Sequence, residues 1–228
     1  MTGARLAEIA LPDFGAPDER PEIPPSVYAD RLQRLRARAD EAGHDVLVVY
    51  ADRAHSANLS YLTGFDPRFE EAMLIVGPTD EPAILAGNEC YGTAGAAPLA
   101  MRRHLFQDFS LPSQPRDRSR PLSEILREEG VGDASAVGVI GWKEFEDRTR
   151  IEIPAYVVDE LRAITPSGSL ANAGHLLTDA ADGLRVINEP EQLAAFEYAA
   201  CRTSNGVRRL IRGLEPGLRE AEAVALLG

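Results

Sequence analysis

The run Asp45-Val46-Leu47-Val48-Val49-Tyr50 constrains the fold of this chain more than any other stretch. It is almost unbroken in apolar character and rich in valine, the pattern of a strand buried on both faces. Before it, from Ser26 to about Ala42, Tyr28, Leu32, Leu35, Ala39 and Ala42 recur at helical spacing, with Ser26 as the expected cap and Gly43 as the terminator. Helix, glycine, buried strand is the opening of an α/β layered domain, because a strand with two apolar faces needs helices on both sides.

The alternation continues. Asn58 to Phe65 reads as a short helix turning through Gly64. Ala72–Val76 and Ala83–Ala86 read as strands, and the link Gly77-Pro78-Thr79-Asp80-Glu81-Pro82 is dense enough in turn residues to make them a hairpin. A loose helix is expected near Ala94–Met101, a fourth strand from His104 to Phe109, and a surface loop from Ser110 to Pro121. Leu122–Glu129 is a short helix ended by Gly130, Ala136–Gly141 a fifth strand, and Pro154–Ile164 a helix with proline at its first position. Pro166 to Gly183 carries few signals beyond a turn anchored by Leu176 and Leu177. The expected fold class is α/β, a three-layer domain with a mixed sheet and helices on both faces.

Three segments follow. Residues 1–25, with Pro12, Pro17, Pro21, Pro24 and Pro25, read as an extended arm. Residues 26–183 form the α/β domain, and 184–228 a helical continuation. In the last, Pro190 opens a helix whose Leu193, Phe196, Ala200, Val207, Ile211 and Leu214 share a face. Glu215-Pro216-Gly217 stops it, and Arg219 to Val224 starts another. A helix of about 25 residues is roughly 37 Å long, and its apolar face needs a partner. A second helix cut off in mid-pattern leads us to expect a truncated chain whose missing part supplies that partner.

Charge and composition narrow the functional classes. A net charge of −12 opposes a nucleic-acid or anionic-membrane surface. No stretch approaches the ~18 apolar residues of a membrane span, and no secretory signal opens the chain, so a cytoplasmic location is expected. Cys90 and Cys201 fit no metal or redox spacing and read as buried thiols. His44, His55, His104 and His175 are scattered, so no zinc motif exists. Asp179 and Asp182 stand at helical spacing and read as a solvated face. Gly130 and Gly132 precede a strand, whereas a dinucleotide loop needs its glycines after one. There is no Gly-x-Ser-x-Gly elbow. We therefore assign no catalytic and no metal-binding residue. The best candidate for ligand contact is the loop Phe65-Asp66-Pro67-Arg68-Phe69-Glu70-Glu71, which mixes an arginine, aromatics and acids between a helix and a strand. Asp66, Arg68, Phe69 and Glu70 are its candidate rim residues; the plainer alternative is a solvated turn with an Arg–Glu pair. Trp142 and Tyr91 read as packing residues.

Two stretches together resemble the creatinase/prolidase/aminopeptidase P family of pita-bread metallopeptidases. Asn58-Leu59-Ser60-Tyr61-Leu62-Thr63-Gly64-Phe65 is similar to the signature of its amino-terminal domain. Leu184-Arg185-Val186-Ile187-Asn188-Glu189-Pro190-Glu191 resembles the start of its first catalytic-domain helix, although lysine and serine usually stand where Asn188 and Glu189 are. Pro216-Gly217-Leu218-Arg219-Glu220 resembles the motif that follows, with Arg219 in a threonine position. The resemblance implies a creatinase N-terminal-like domain at 26–183 and the first helices of a pita-bread catalytic domain at 184–228. In peptidase members two aspartates, a histidine and two glutamates hold a pair of divalent metals (Mn, Co or Zn), and all five ligands would lie beyond Gly228. No cofactor is expected in this chain itself, and creatinase works without metal, which leaves the parent's cofactor open.

By the same resemblance this chain would be the non-catalytic domain of an Xaa-Pro dipeptidase- or aminopeptidase-type hydrolase, serving oligomerisation and substrate gating. It would be inactive alone, form a homodimer, and act with a peptide or small amide as the parent's substrate, without nucleic acid or membrane. Three rivals stand: a stand-alone interaction module pairing with a full-length relative, a creatinase-like amidinohydrolase fragment, and an unrelated α/β ligand-binding domain.

Overall fold

A computed structural model of the chain describes residues 7–227; the first six residues of the expected arm and Gly228 lie outside it. The described chain divides into two compact units. One runs from residue 24 to 187, and the other joins the arm up to residue 23 with residues 188–227.

The larger unit is built on a six-stranded sheet. In chain order its elements are α1 (Pro25–Glu41), β1 (Val46–Ala51), α2 (Ala57–Thr63), β2 (Ala72–Val76), β3 (Ala83–Ala86), α3 (Cys90–Ala94), β4 (Arg102–Leu105), α4 (Leu122–Glu128), β5 (Ala136–Ile140), α5 (Ala155–Ile164), β6 (Ser169–Asn172) and α6 (His175–Thr178). The strand order is β4-β3-β2-β1-β5-β6. β1–β2 and β2–β3 are antiparallel, whereas β3–β4, β1–β5 and β5–β6 are parallel, so the sheet is mixed as expected. All six residues of β1 are buried, as are all of β2 and β3.

The two faces of the central strands part by parity. Val46, Val48, Tyr50, Met73, Ile75 and Leu85 join one core with α4 and α5, to which Ile125, Leu126, Val157 and Leu161 contribute. Leu47, Val49, Leu74 and Ile84 have the opposite parity and are equally buried, on the side where α2 packs against β1 and α1 against α2. Full burial of each such side chain is worth about 1.5–3 kcal/mol, which is why the valine-rich run must sit at the centre.

Several expectations are corrected. Ser26 does not cap α1: Pro24 is the extended N-cap residue and Pro25 the first helical one, where a missing N–H costs nothing. Ala42, expected on the apolar face, is exposed. The helix expected at Ala94–Met101 lies earlier, at Cys90–Ala94. There the Glu70 carboxylate accepts N–H bonds from Glu89 and Cys90, while Gly95 and Pro98 oppose any continuation. The fourth strand is Arg102–Leu105 rather than His104–Phe109: pairing with β3 ends at Leu105, and the chain turns through a 3₁₀ helix (Gln107–Phe109) that drives Phe106 and Phe109 into the core. β6 and α6 arise in the stretch that carried few signals. Asp179 and Asp182 share no helix face; Asp179 follows α6 and its Oδ1 accepts the N–H groups of Ala181 and Asp182 in a turn.

The smaller unit contains α7 (Pro190–Gly213) and α8 (Glu220–Ala225). The Arg219 N–H donates to Glu222 Oε2 at 2.9 Å, which fixes the start of α8. Arg209 donates to the carbonyls of Leu226 and Leu227 at the end of α8. Within this unit Arg208 pairs with Asp13 at 2.8 Å, and Asn205 donates to the Gly15 carbonyl. Leu193, Phe196, Val207, Ile211 and Leu214 on α7 are all exposed. Among the described residues no helix is long and apolar enough to cross a membrane.

Candidate functional site

β1 and β5 run parallel at the middle of the sheet, with Val49 opposite Ile140. Their carboxyl ends release the chain at one place, the position where open α/β sheets tend to receive ligands. After β1, Asp52 makes a tight turn: its Oδ1 accepts the N–H groups of Ala54 and His55, both at 2.8 Å, and contacts His55 Nδ1 at 3.0 Å. The turn lays the His55 ring flat on Trp142, which follows β5, with centroids 4.1 Å apart and planes 18° from parallel. The Tyr50 ring also lies near, its centroid 6.4 Å from that of the indole. Tyr50 itself is buried, and its hydroxyl donates to Glu71 Oε2 at 2.8 Å. The Tyr156 hydroxyl, from the first turn of α5, donates to the same oxygen at 3.2 Å.

Electrostatics follow from that geometry. Burial, and then the Glu71 carboxylate, push the Tyr50 phenol far above its ordinary range, and Tyr156 is raised by the same two causes. Both remain protonated donors at any physiological pH. Asp52 is partly desolvated, which raises it, but the hydrogen bonds from His55 and Ala54 outweigh this and hold its carboxyl below the usual range.

The four loop residues divide. Asp66, Arg68 and Phe69 lie at the surface, with Phe69 46% exposed. Asp66 Oδ1 accepts the Arg68 N–H at 2.8 Å, and Arg68 takes a left-handed φ of 57° to close the turn. Glu70 goes inside. Only 2% exposed, it serves the start of α3, and its neighbour Cys90 is pushed up to about 12 by burial and by the Glu70 carboxylate. The acid beside the aromatic groups is Glu71, the last residue of the candidate loop but not among its four rim residues; Tyr50, His55 and Tyr156 were passed over altogether. Trp142, read as packing, stacks on His55 yet keeps 36% of its surface exposed. The signal available was positional: Tyr50 and Trp142 close adjacent strands at the same end.

Among the described residues, one group brings three possible metal donors within 4.8 Å of one another: His104, Glu128 and Glu129. It does not suit a divalent ion. Glu129 is already bonded to Arg102 and to His104, and Glu128 is paired with Arg120 at 2.7 Å, so a metal would have to displace guanidinium groups.

Comparison with known proteins gives three results. A family model described as the Creatinase/Prolidase N-terminal domain matches residues 31–187. No curated protein matches the chain. Among solved structures, the prolidase from Pyrococcus furiosus is 18% identical with a TM-score of 0.58, over 86% of this chain and 50% of that one. A recombinant prolidase from Thermococcus sibiricus is 18% identical with a TM-score of 0.60, over 88% and 48%. Dipeptidase PepE from Mycobacterium ulcerans is 20% identical with a TM-score of 0.58, over 93% and 49%. At such identities the likeness is one of fold, and the chain spans about half the length of these structures.

Proposed function

We propose a function from one premise: the chain belongs to the creatinase/prolidase N-terminal domain family. On that premise it serves as the non-catalytic domain of a hydrolase of the Xaa-Pro dipeptidase or aminopeptidase type, assembling subunits as a homodimer and screening substrate at the mouth of the active site. Any divalent metals of such an enzyme would belong to a catalytic domain outside these residues.

The observation that carries this reading is the half-exposed rim at the carboxyl ends of β1 and β5. Tyr156 stands there against Glu71 and Trp142 beside Tyr50 and His55, while the buried groups nearby, Glu70 and Cys90, are committed to holding α3. A surface with aromatic contact area and fixed carboxylates, but no activated nucleophile, suits recognition more than bond cleavage.

Three measurements test it. The 228-residue protein, supplied with Mn²⁺ or Co²⁺ and an Xaa-Pro dipeptide, should release no amino acid above the blank. Joined to a pita-bread catalytic domain of the family, Trp142→Ala should change kcat/KM for longer peptides more than for dipeptides. Turnover by the chain alone, or a Trp142→Ala enzyme with unaltered length preference, overturns the reading. Light scattering that finds only monomer in the joined protein removes the assembly role.

A further inference from the structure

The smaller unit holds a hollow of about 480 Å³ whose charge runs against that of the chain. α7 lines it with Arg202, Arg208, Arg209 and Arg212. Between Arg202 and Gly213 this helix carries four arginines and no acid, whereas a solvated helix face usually interleaves the two signs. At 3.6 residues per turn the four fall within about 120° of the circumference, and the first and last stand about 15 Å apart along the axis.

The arm supplies Asp13, Gly15 and Ala16 to the same hollow. Three bonds hold it to α7. Arg208 Nη1 pairs with Asp13 Oδ1 at 2.8 Å, the Asn205 amide donates to the Gly15 carbonyl at 2.7 Å, and the Cys201 thiol donates to the Phe14 carbonyl at 3.2 Å. The Gly15 N–H also donates to Asp13 Oδ1, at 3.0 Å. Asp13 is thereby committed: that N–H and Arg208 hold its carboxyl below the usual range, with a smaller pull from Arg212.

No other carboxylate lines the hollow among the described residues. Glu19 and Glu197 belong to a neighbouring hollow that shares only Gly15 and Ala16 with this one. Glu222 is paired with Arg219, and Glu215, just past α7, is exposed. Arg209 donates from Nε and Nη2 to the Leu226 and Leu227 carbonyls, which leaves its charge uncancelled. Arg202 and Arg212 form no ion pair with any described carboxylate. Four guanidinium groups against one carboxylate leave three positive charges, in a chain whose net charge is −12.

We propose that this hollow binds a compact polyanion of the polyphosphate or polycarboxylate class, held by Arg202, Arg212 and the Nη1 of Arg209. The site lies wholly in the smaller unit and owes nothing to the rim of the larger one. A guanidinium fork matches two oxygens of a phosphate or carboxylate at once. Arginines spread along α7 call for several oxyanions joined in one molecule. A cation is repelled, and a neutral ligand leaves three like charges crowded together. A long nucleic acid is opposed by the negative charge of the chain beyond the hollow.

Calorimetric titration of the 228-residue protein with tripolyphosphate should give saturable binding. It is run at about 0.15 M ionic strength, where exposed charges more than ~8 Å apart are largely screened. Pyrophosphate should bind more weakly and orthophosphate more weakly still. Citrate is titrated in parallel, and the tighter of citrate and tripolyphosphate identifies the class. Replacing both unpaired groups, Arg202→Gln with Arg212→Gln, should weaken tripolyphosphate about tenfold or more, as loss of charge-assisted hydrogen bonds does. Arg162→Gln, on α5 of the larger unit, should leave it unchanged. Ala16→Glu keeps every arginine but adds a carboxylate to the lining, and should weaken binding more than Ala16→Gln does. Circular dichroism checks that each variant is folded. Absence of saturable binding, equal affinity for tripolyphosphate and orthophosphate, or unchanged affinity in the double variant each overturn the proposal. So do equal effects of Ala16→Glu and Ala16→Gln, a loss in Arg162→Gln, or tighter binding of single-stranded RNA than of tripolyphosphate, which marks an open basic face.

Discussion

Asn58 shows how a residue in a conspicuous motif can work without chemistry. Its amide donates to the Gly141 carbonyl at 2.7 Å and accepts from Arg185 at 2.7 Å, tying α2 to the end of β5 and to the last residues of the larger unit. Tyr61 adds a bond to the Leu184 carbonyl at 2.9 Å. The motif fixes how the chain leaves the sheet domain. Glu70 is structural in the same sense: Glu70→Ala removes a buried carboxylate that two N–H groups need, and should cost about 2–4 kcal/mol in urea unfolding. A loss below about 0.5 kcal/mol would show that the start of α3 does not depend on it. Acid sensitivity also has named sources. Burial raises Glu129, but its bonds from Arg102 and His104 outweigh this and bring it below its ordinary 4.5. Its stabilisation is complete above about pH 4.5 and is lost as the pH falls through the lower folded value. His44 and His175 are lowered from 6.5, chiefly by burial, so they favour the neutral form in the fold. Their contribution is likewise full above about pH 6.5 and declines as acid charges them. Urea midpoints should therefore fall in two stages between pH 7 and 3, and Glu129→Gln should reduce only the lower one, to which Asp52 also contributes.

At the scale of elements, the well-read parts of the sequence are those where local pattern and tertiary role agree. β1, β2 and β3 combine apolar runs with central positions, and α2 ends at the expected Gly64 with φ 71°. A side chain at Gly64 would adopt the left-handed region and bring its Cβ within 2.5 Å of Pro98 Cγ. Gly64→Ala should accordingly destabilise by about 2–4 kcal/mol in chemical denaturation, and a neutral result would mean that the turn repacks freely. The misread elements depend on partners far along the chain. α3 starts where Glu70, nineteen to twenty residues earlier, supplies an acceptor. β4 stops where β3 stops, and its Arg102-Arg103-His104 carries no apolar alternation because it is an edge. β6, a four-residue edge strand reading Ser-Leu-Ala-Asn, has too little pattern to recognise before β5 is there to pair with it. The candidate rim suffered the same limit, since Glu71 matters only once Tyr50 and Tyr156 converge on it. What could be read of Phe69, Arg68 and Asp66 was their place in an exposed turn, because such residues announce themselves locally.

For the whole molecule, the division at Ile187 and Asn188 separates a unit with a two-sided core from one whose long helix leaves Leu193, Phe196, Ile211 and Leu214 in solvent. A fragment of residues 24–187 should unfold cooperatively with the same urea midpoint as the full chain; loss of the cooperative transition would mean that its core is not self-sufficient. The strand order has a consequence for how the protein is made. β1 leaves the ribosome first and lies third from one edge in the finished order; β2, β3 and β4 add in turn on one flank, then β5 and β6 on the other. Each newcomer finds a free border awaiting it, and none must be threaded between neighbours that have already joined. The sheet can thus be laid down during synthesis in the order of translation, without undoing any earlier step.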